Sequence, residues 1–272
     1  RPVLSYYALV FGISWGGILV LAVPRGIPGP PEDVDRLFMY ALAALFAGPA
    51  ISGLVMTLLV GGRAGLSDLA RRMLRWRVGA GWWAAALLTG PALVAAVLFG
   101  LSLYSPDFTP GLLTTEDPAA LLILGLGAGL IGGGLLEELG WTGFAVPTLR
   151  QRYGTFTTGL VVGVLWGAWH LLIAFWSSRA LAGEADLGGF IAGFLAFYFV
   201  ALPAYRVLLV WLHDQTASLL LVMLMHAVLS ASTVILQPLA ANSHLTWNLL
   251  LGVALWTVVA GVALAKPEEL RQ

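Results

Sequence analysis

Residues 118–147 read PAALLILGLGAGLIGGGLLEELGWTGFAVP, an apolar stretch in which Glu137 and Glu138 are the only charged residues. An α-helix needs about 20 apolar residues to cross the hydrocarbon core of a bilayer, and this stretch is longer. It therefore predicts a tilted transmembrane helix. Because proline interrupts helical hydrogen bonding, we expect Pro147 to end this helix.

Seven further apolar stretches of transmembrane length lie along the 272 residues. The chain is 59% hydrophobic and 10% charged, with a mean hydropathy of +0.89, whereas a soluble domain is about 25% charged. These values predict an all-α, polytopic membrane protein that forms a single integral domain over residues 1–272. The expected spans are 4–23, 37–61, 81–104, 118–146, 156–176, 189–212, 215–236 and 244–265.

The loops on the two sides of the predicted bilayer differ in their content of arginine and lysine. With eight spans both termini lie on one side, which carries Arg1, Arg63, Arg71, Arg72, Arg75, Arg77, Arg150, Arg152, Lys266 and Arg271. The other side carries Arg25, Arg36 and Arg179. Because basic loops remain in the cytoplasm, we predict that both termini are cytoplasmic. All but one of the 14 basic residues are arginine, which indicates a GC-rich prokaryotic genome and hence a prokaryotic plasma membrane.

The segment LSDLARRMLRWRV, residues 66–78, predicts an interfacial helix between the second and third spans. Its apolar residues, which include Leu69 and Trp76, fall on one face, and its arginines, Arg72 among them, can reach lipid headgroups. Membrane lipid is therefore an expected partner. The net charge of zero argues against nucleic acid as a partner.

Several classes of hydrolase are excluded by residues that the chain lacks. It contains no cysteine, which excludes a thiol nucleophile and a CxxC zinc site. The sequence has no HExxH motif, no GxSxG motif and no pair of aspartates in the middle of its spans. Intramembrane hydrolases of the zincin, serine and aspartyl types are therefore excluded.

Four ionisable side chains lie inside the predicted spans: Glu137, Glu138, His170 and His226. A charged carboxylate at the bilayer centre costs about 2.5–3.5 kcal/mol even on a mild insertion scale, so two adjacent glutamates need a reason. Each histidine, taken alone, predicts a hydrogen-bonded packing residue. Together the four are of the types that activate water or bind zinc.

Glycines recur at every fourth position before the glutamate pair. Gly125, Gly129 and Gly133 are followed at the same spacing by Glu137, and such a small-residue face allows another helix backbone to approach closely. We therefore expect Glu137 to face protein and not lipid. Glu138 is rotated by about 100° on a helix, so that one carboxylate can act while the other supports it.

Each intramembrane histidine has a partner one helical turn away. Trp166 precedes His170 by four residues, and Ser230 follows His226 by four, so each pair shares a helix face. Taken alone, Trp166 predicts core packing, and Ser230 predicts a hydroxyl bonded to its own helix backbone.

The segment EELGWTGF at 137–144, the pair Trp166-x-x-x-His170 and the pair His226-x-x-x-Ser230 together resemble the CAAX prenyl endopeptidase and bacteriocin-processing (CPBP) family of intramembrane proteases. That family shows EExxxR, then an aromatic-xxx-His, then Hxxx followed by Asn or a substitute, on three successive helices. The resemblance implies an eight-helix fold and peptide hydrolysis within the membrane.

The resemblance also implies a role for each site residue. Glu137 and His170 would activate the hydrolytic water, with Glu138 supporting them. His226 and Ser230 would stabilise the developing oxyanion or orient the site.

The same side chains allow a second chemistry. One carboxylate and two histidines form the His₂Glu ligand set of catalytic zinc, with an open position for water. Glu137, His170 and His226 would then be metal ligands, and Glu138 would be the general base. The sequence leaves both mechanisms open.

The resemblance covers about residues 137–232 of a motif-bearing core at 118–236, and two positions depart from it. Thr142 stands where the family has arginine, which removes a cation that could hold a glutamate ionised. Ser230 stands where asparagine is usual, although a hydroxyl can still donate a hydrogen bond.

The function predicted from these observations is an intramembrane endopeptidase. It would hydrolyse a bond in a peptide or membrane-protein substrate near the cytoplasmic membrane face, with no prenyl group assumed. One alternative is a catalytically inactive relative that acts as an immunity or chaperone-like membrane protein. Another is a small proton-coupled transporter, in which the buried Glu and His residues form a proton relay.

Overall fold

The computed structural model describes residues 1–178, 181–183, 186–240 and 243–271. Within them, eight helices are long and apolar enough to cross a bilayer, and there is no β-strand. These helices are α1 (Pro2–Arg25), α2 (Pro31–Met73), α3 (Ala80–Ser102), α4 (Pro118–Leu149), α5 (Thr155–Trp176), α6 (Leu187–Thr216), α7 (Leu219–Leu236) and α8 (His244–Ala265). A short helix, α9 (Pro267–Arg271), follows them.

The predicted all-α fold with eight spans is confirmed. The cytoplasmic placement of both termini and the single-domain organisation stay predictions. Arg179, which was counted on the outer side, lies outside the described residues.

Helix α2 continues past its membrane span into the predicted interfacial segment. The two parts meet at a kink at Gly62, whose φ of 59° is a conformation that favours glycine. The helix ends at Met73, before the predicted end at residue 78, and the hydroxyl of Ser218 donates to the Arg75 carbonyl at 2.6 Å. Trp76 therefore lies beyond the helix and is 60% exposed.

One prediction for the interfacial segment is wrong. Arg72 was expected to reach lipid headgroups, but its guanidinium donates to the carbonyl oxygens of Thr142 at 3.3 Å and Gly143 at 2.8 Å. These carbonyls lie in the π-helical segment Trp141–Ala145 of α4. Leu69 is buried beside Leu219, so the segment is attached to the protein by both polar and apolar contacts.

Helix α4 is irregular around the glutamate pair. It contains two π-helical segments, Ala128–Glu137 and Trp141–Ala145, with a turn at residues 138–140 between them. Such wide turns occur frequently at functional sites. The expected stop at Pro147 is wrong, because this proline is near the start of a new α-helical turn, Val146–Leu149, where a backbone N–H is not needed.

The glycine face of α4 packs against α7, as predicted. A methyl group at Gly129 would lie 2.9 Å from Cβ of Ala231, and Gly125 is in similarly close contact with Ile235. Because such distances leave no room for a side chain, these glycines set the approach of the two helices. Glu137, the next position, consequently faces the protein interior.

A second glycine series on α5 sets its approach to α6. A methyl group at Gly159 would lie 2.6 Å from Cα of Val207, and one at Gly163 would lie 2.6 Å from Cα of Pro203 and 3.2 Å from Cβ of Arg206. The side of α6 that carries Arg206 is therefore pressed against α5. This contact places an arginine in the protein interior, within an apolar span.

Candidate active site

A cluster of buried polar side chains lies where α4, α5, α6 and α7 meet. Glu137 is 4% exposed, His226 is 1% exposed, and Glu138, Thr142 and Arg206 are completely buried. Burying charges is costly unless they are paired and hydrogen-bonded. The contacts of each side chain therefore indicate how the cluster is stabilised.

Glu138 is the most heavily engaged member of the cluster. Arg206 Nη1 donates to its Oε2 at 3.0 Å and forms an ion pair with its Oε1 at 2.8 Å. His226 Nδ1 lies 2.7 Å from Oε1, and the Thr142 hydroxyl donates to Oε2 at 2.5 Å. Because an ionised carboxylate only accepts hydrogen bonds, Nδ1 of His226 carries a proton here. Both oxygens of Glu138 are therefore occupied by protein donors, which favours a supporting role.

Glu137 has different surroundings, as its rotation from Glu138 predicts. Its Oε2 accepts hydrogen bonds from the indole N–H of Trp141 at 3.1 Å and of Trp166 at 2.5 Å. Neither indole engages Oε1. Oε2 is thus held in place by two donors, and neither indole prevents Oε1 from binding a further partner.

Trp166 connects most members of the cluster. Besides its bond to Glu137, its backbone carbonyl lies 2.9 Å from Nδ1 of His170. The centroid of its ring system is 4.3 Å from the guanidinium carbon of Arg206 and 4.8 Å from the ring centroid of His226, which it meets edge to face. The packing role predicted for this residue is therefore only part of its contribution, since it also supplies a donor and a cation–π contact.

His170 joins the cluster through Trp166. Because the Trp166 carbonyl can only accept, Nδ1 of His170 carries the proton, which leaves Nε2 of the neutral ring as an acceptor. The ring centroid lies 4.7 Å from that of Trp169 and 4.6 Å from that of Tyr198. These contacts fix the ring plane, although no hydrogen bond joins His170 directly to Glu137 in the described part of the chain.

Gly133 allows two polar atoms of α7 to approach α4 closely. A methyl group at this position would lie 2.8 Å from Nε2 of His226 and 2.9 Å from the hydroxyl oxygen of Ser230, so there is no room for a side chain here. The two polar atoms therefore lie side by side against Gly133, one turn before Glu137 on α4.

Arg206 is the site residue that the sequence reasoning missed. An arginine within an apolar span requires a buried partner, and this signal was present in the sequence, but position 206 was assigned to the end of a span. The partner is Glu138, and Thr142, which stands where the family has arginine, lies 3.5 Å from the same guanidinium. Glu138 therefore has a cation beside it, supplied by α6.

Glu137, His170 and His226 are the residues that the sequence predicts as ligands of a zinc ion. Among the described residues, no three His, Cys, Asp or Glu side chains are placed to hold one metal ion. The hydrogen bonds of the three residues involve Oε2 of Glu137 and Nδ1 of each histidine, so the misfit lies in their relative placement and not in a lack of lone pairs. As placed, these side chains do not fit a three-ligand zinc site, and the metal stays a prediction.

Comparison with known proteins supports the resemblance drawn from the motifs. Residues 118–232 match the family described as type II CAAX prenyl endopeptidase, Rce1-like. A curated relative, CAAX prenyl protease 2 of Methanococcus maripaludis, is 30% identical over 84 residues. That alignment covers 31% of this chain and 29% of the relative. The match includes the whole buried cluster, and the predicted resemblance is confirmed over this core.

Proposed function

Because residues 118–232 match the Rce1-like type II CAAX prenyl endopeptidases, we propose that this chain is an intramembrane endopeptidase that hydrolyses a peptide bond near the cytoplasmic face of the membrane. The observation that carries the proposal is the contrast between the two glutamates. Both carboxylate oxygens of Glu138 are engaged by protein donors. In Glu137 two indoles fix Oε2, and neither of them contacts Oε1.

Glu137 is the proposed general base. It accepts a proton from a water molecule as the water oxygen attacks the carbonyl carbon of the substrate, a role that typically contributes about 10²–10⁴-fold in rate. Trp141 and Trp166 hold the carboxylate in one orientation. His170 assists by accepting a hydrogen bond from the water at Nε2, its open nitrogen, and the proton that Glu137 has taken up passes to the departing amine as the peptide bond breaks.

His226 and Ser230 are the proposed donors to the tetrahedral oxyanion. Glu138 accepts a hydrogen bond from Nδ1–H of His226, which orients the ring so that Nε2 lies beside Gly133 and Ser230. The Ser230 hydroxyl and a protonated Nε2 donate to the same substrate oxygen, and hydrogen bonds to a developing charge are most effective in a dry site.

The geometry also bears on the inactive-relative alternative, which drew its support from Thr142. Glu138 receives a hydrogen bond from Thr142 itself and an ion pair from Arg206, so the departure at position 142 does not leave the carboxylate without a cation. This arrangement supports an active enzyme. For the substrate we propose a peptide or membrane-protein segment, without assigning the prenyl group that appears in the relative's name.

The proposal is tested by peptide cleavage with purified protein in lipid vesicles. The substrates are a library of membrane-associated peptides, and mass spectrometry identifies the products. Glu137→Gln keeps an acceptor for the two indoles but removes the base, so we expect a loss of about 10²-fold or more in kcat with an unchanged unfolding temperature. Glu116→Gln, at an exposed position outside the cluster, is the control. Wild-type protein that cleaves no peptide, or a fully active Glu137→Gln variant, would contradict the proposal.

A further inference from the structure

We propose that Arg206 is a positioning residue, which holds the carboxylate of Glu138 in place and thereby fixes His226, and that a cation at position 142 can replace it. The inference rests on the proposed peptidase function and assigns a role to a residue of α6, outside the three motifs. Positions 142 and 206 are then alternative locations for one positive charge beside Glu138.

The contacts of Arg206 are centred on Glu138. Its Nη1 donates to Oε2 and forms an ion pair with Oε1, and the Trp166 ring lies against the guanidinium. Its Nε and Nη2 are buried and have no hydrogen-bond partner among the described residues. Glu138 is thus the acidic partner of this arginine, and the charge of Arg206 is available to that carboxylate.

The backbone around Arg206 leaves its side chain little freedom. Gly163 of α5 allows α6 to approach until a methyl group there would lie 3.2 Å from Cβ of Arg206. The arginine is held between α5 and the cluster, with no route to solvent for its side chain. The positive charge of Arg206 therefore acts on the groups that the guanidinium contacts, Glu138 and Trp166.

The effect of Arg206 passes through Glu138 to His226. Oε1 of Glu138 is shared between the guanidinium and Nδ1 of His226. While Arg206 holds this carboxylate in place, Oε1 accepts a hydrogen bond from Nδ1–H and turns Nε2 toward Gly133 and Ser230. Without Arg206 the carboxylate would lose this anchor, and the orientation of Nε2 would be lost with it.

Position 142 can reach the same carboxylate from α4. The Thr142 hydroxyl donates to Oε2 of Glu138 and lies 3.5 Å from Nη1 of Arg206. Thr142 is completely buried, so there is no space for a second guanidinium while Arg206 is present. A small hydrogen-bond donor at position 142 is therefore compatible with an arginine at position 206. We predict that an arginine at position 142 with a small residue at position 206 can substitute for this combination.

The experiment relocates the charge. Arg206→Ala, Thr142→Arg and the double variant Thr142→Arg/Arg206→Ala are compared with wild type in the vesicle assay, with Thr142→Ser and Arg206→Lys as conservative controls. We expect each of the first two to lower kcat by about 10- to 100-fold, as loss of a supporting partner does elsewhere, with little change in KM. The double variant should regain about tenfold over Arg206→Ala, and both controls should stay closer to wild type.

Folding is measured in parallel by size-exclusion chromatography and thermal unfolding. If Arg206→Ala aggregates, the double variant is compared with Thr142→Arg alone: higher activity in the double variant supports the proposal, and equal or lower activity overturns it. A folded Arg206→Ala variant with wild-type kcat, or a double variant no better than Arg206→Ala, also overturns it.

A readout that does not depend on cleavage separates this inference from the proposed function. In ¹⁵N-histidine-labelled protein, the hydrogen-bonded Nδ1–H of His226 should give a downfield proton resonance, assigned by its loss in His226→Gln. We expect Arg206→Ala to remove this resonance and the double variant to restore it. A resonance unchanged in Arg206→Ala overturns the positioning role even if the enzyme is active. Its loss and return in a protein without peptidase activity would contradict the proposed function alone.

Discussion

The indole N–H of Trp166 donates to Oε2 of Glu137 from 29 positions away in the sequence. This bond joins α5 to α4 in the middle of the membrane-spanning core. Trp141 donates to the same oxygen from one turn further along α4. The proposed base is therefore oriented by two rigid aromatic donors from different helices, and these donors can be removed without changing a charge.

Replacing Trp166 with phenylalanine should lower activity more than stability. The substitution removes one hydrogen bond to a charged group, worth about 1.5–3 kcal/mol, while an aromatic ring remains beside Arg206. We expect kcat to fall roughly 10- to 100-fold. The matched control is Trp256→Phe on α8, which removes an indole bond to the Val200 carbonyl of α6, away from the cluster. Equal cleavage rates for the two variants would contradict the orienting role of Trp166.

The sequence predicts those parts of the fold that depend on local patterns. Apolar length alone predicts all eight spans, and the four-residue glycine spacing predicts the close packing of α4 against another helix. The ends of the helices are predicted less well, because tertiary contacts decide them. Pro147 fits into a new helical turn. The predicted interfacial helix ends at Met73, near Arg75, whose carbonyl accepts a hydrogen bond from Ser218.

Such local patterns do not predict the hydrogen bonds and ion pairs within the candidate site. The bond from Arg206 to Glu138 spans 68 positions, and that from His226 to Glu138 spans 88. Neither spacing leaves a periodic signal, so the sequence indicates which residues are costly to bury but not which pairs form. Family resemblance indicated Glu137, His170 and His226 as one site, while the partner of each came only from the packing of four helices.

The predicted orientation can be measured because the chain has no cysteine. Arg75→Cys and Glu268→Cys, both at exposed positions, should react with a membrane-impermeant maleimide only when the cytoplasmic face is accessible. Glu116→Cys, in the loop between α3 and α4, should react only from the opposite face. The basic side chains around the first two positions are the physical reason. Labelling of all three from one face would show that the assigned orientation is wrong.

The proposed direct Glu/His mechanism makes a prediction about metal. The purified enzyme should keep its cleavage rate after treatment with a chelator, and its metal content should be well below one ion per chain. The reason is that, among the described residues, no three His, Cys, Asp or Glu side chains are placed to hold one metal ion. Near-stoichiometric zinc, with activity lost on chelation and restored by added zinc, would instead favour the ligand set of Glu137, His170 and His226.

Gly133 offers the sharpest test of the proposed oxyanion site. Gly133→Ala would place a methyl group 2.8 Å from Nε2 of His226 and 2.9 Å from the Ser230 hydroxyl, so the two proposed oxyanion donors would have to move. We expect this variant to lose about 10²-fold or more in kcat, the usual effect of disabling an oxyanion donor.

Gly127→Ala is the matched control, because a methyl group there meets nothing within 4 Å. Both substitutions exchange glycine for the better helix former on the same helix, a change worth about 1 kcal/mol in a helix interior. The control should therefore be at least as stable as wild type and equally active. Unfolding temperatures separate a blocked site from a damaged fold, since a folded but inactive Gly133→Ala variant supports the assignment. Wild-type kcat in that variant would show that the oxyanion is not stabilised beside His226 and Ser230.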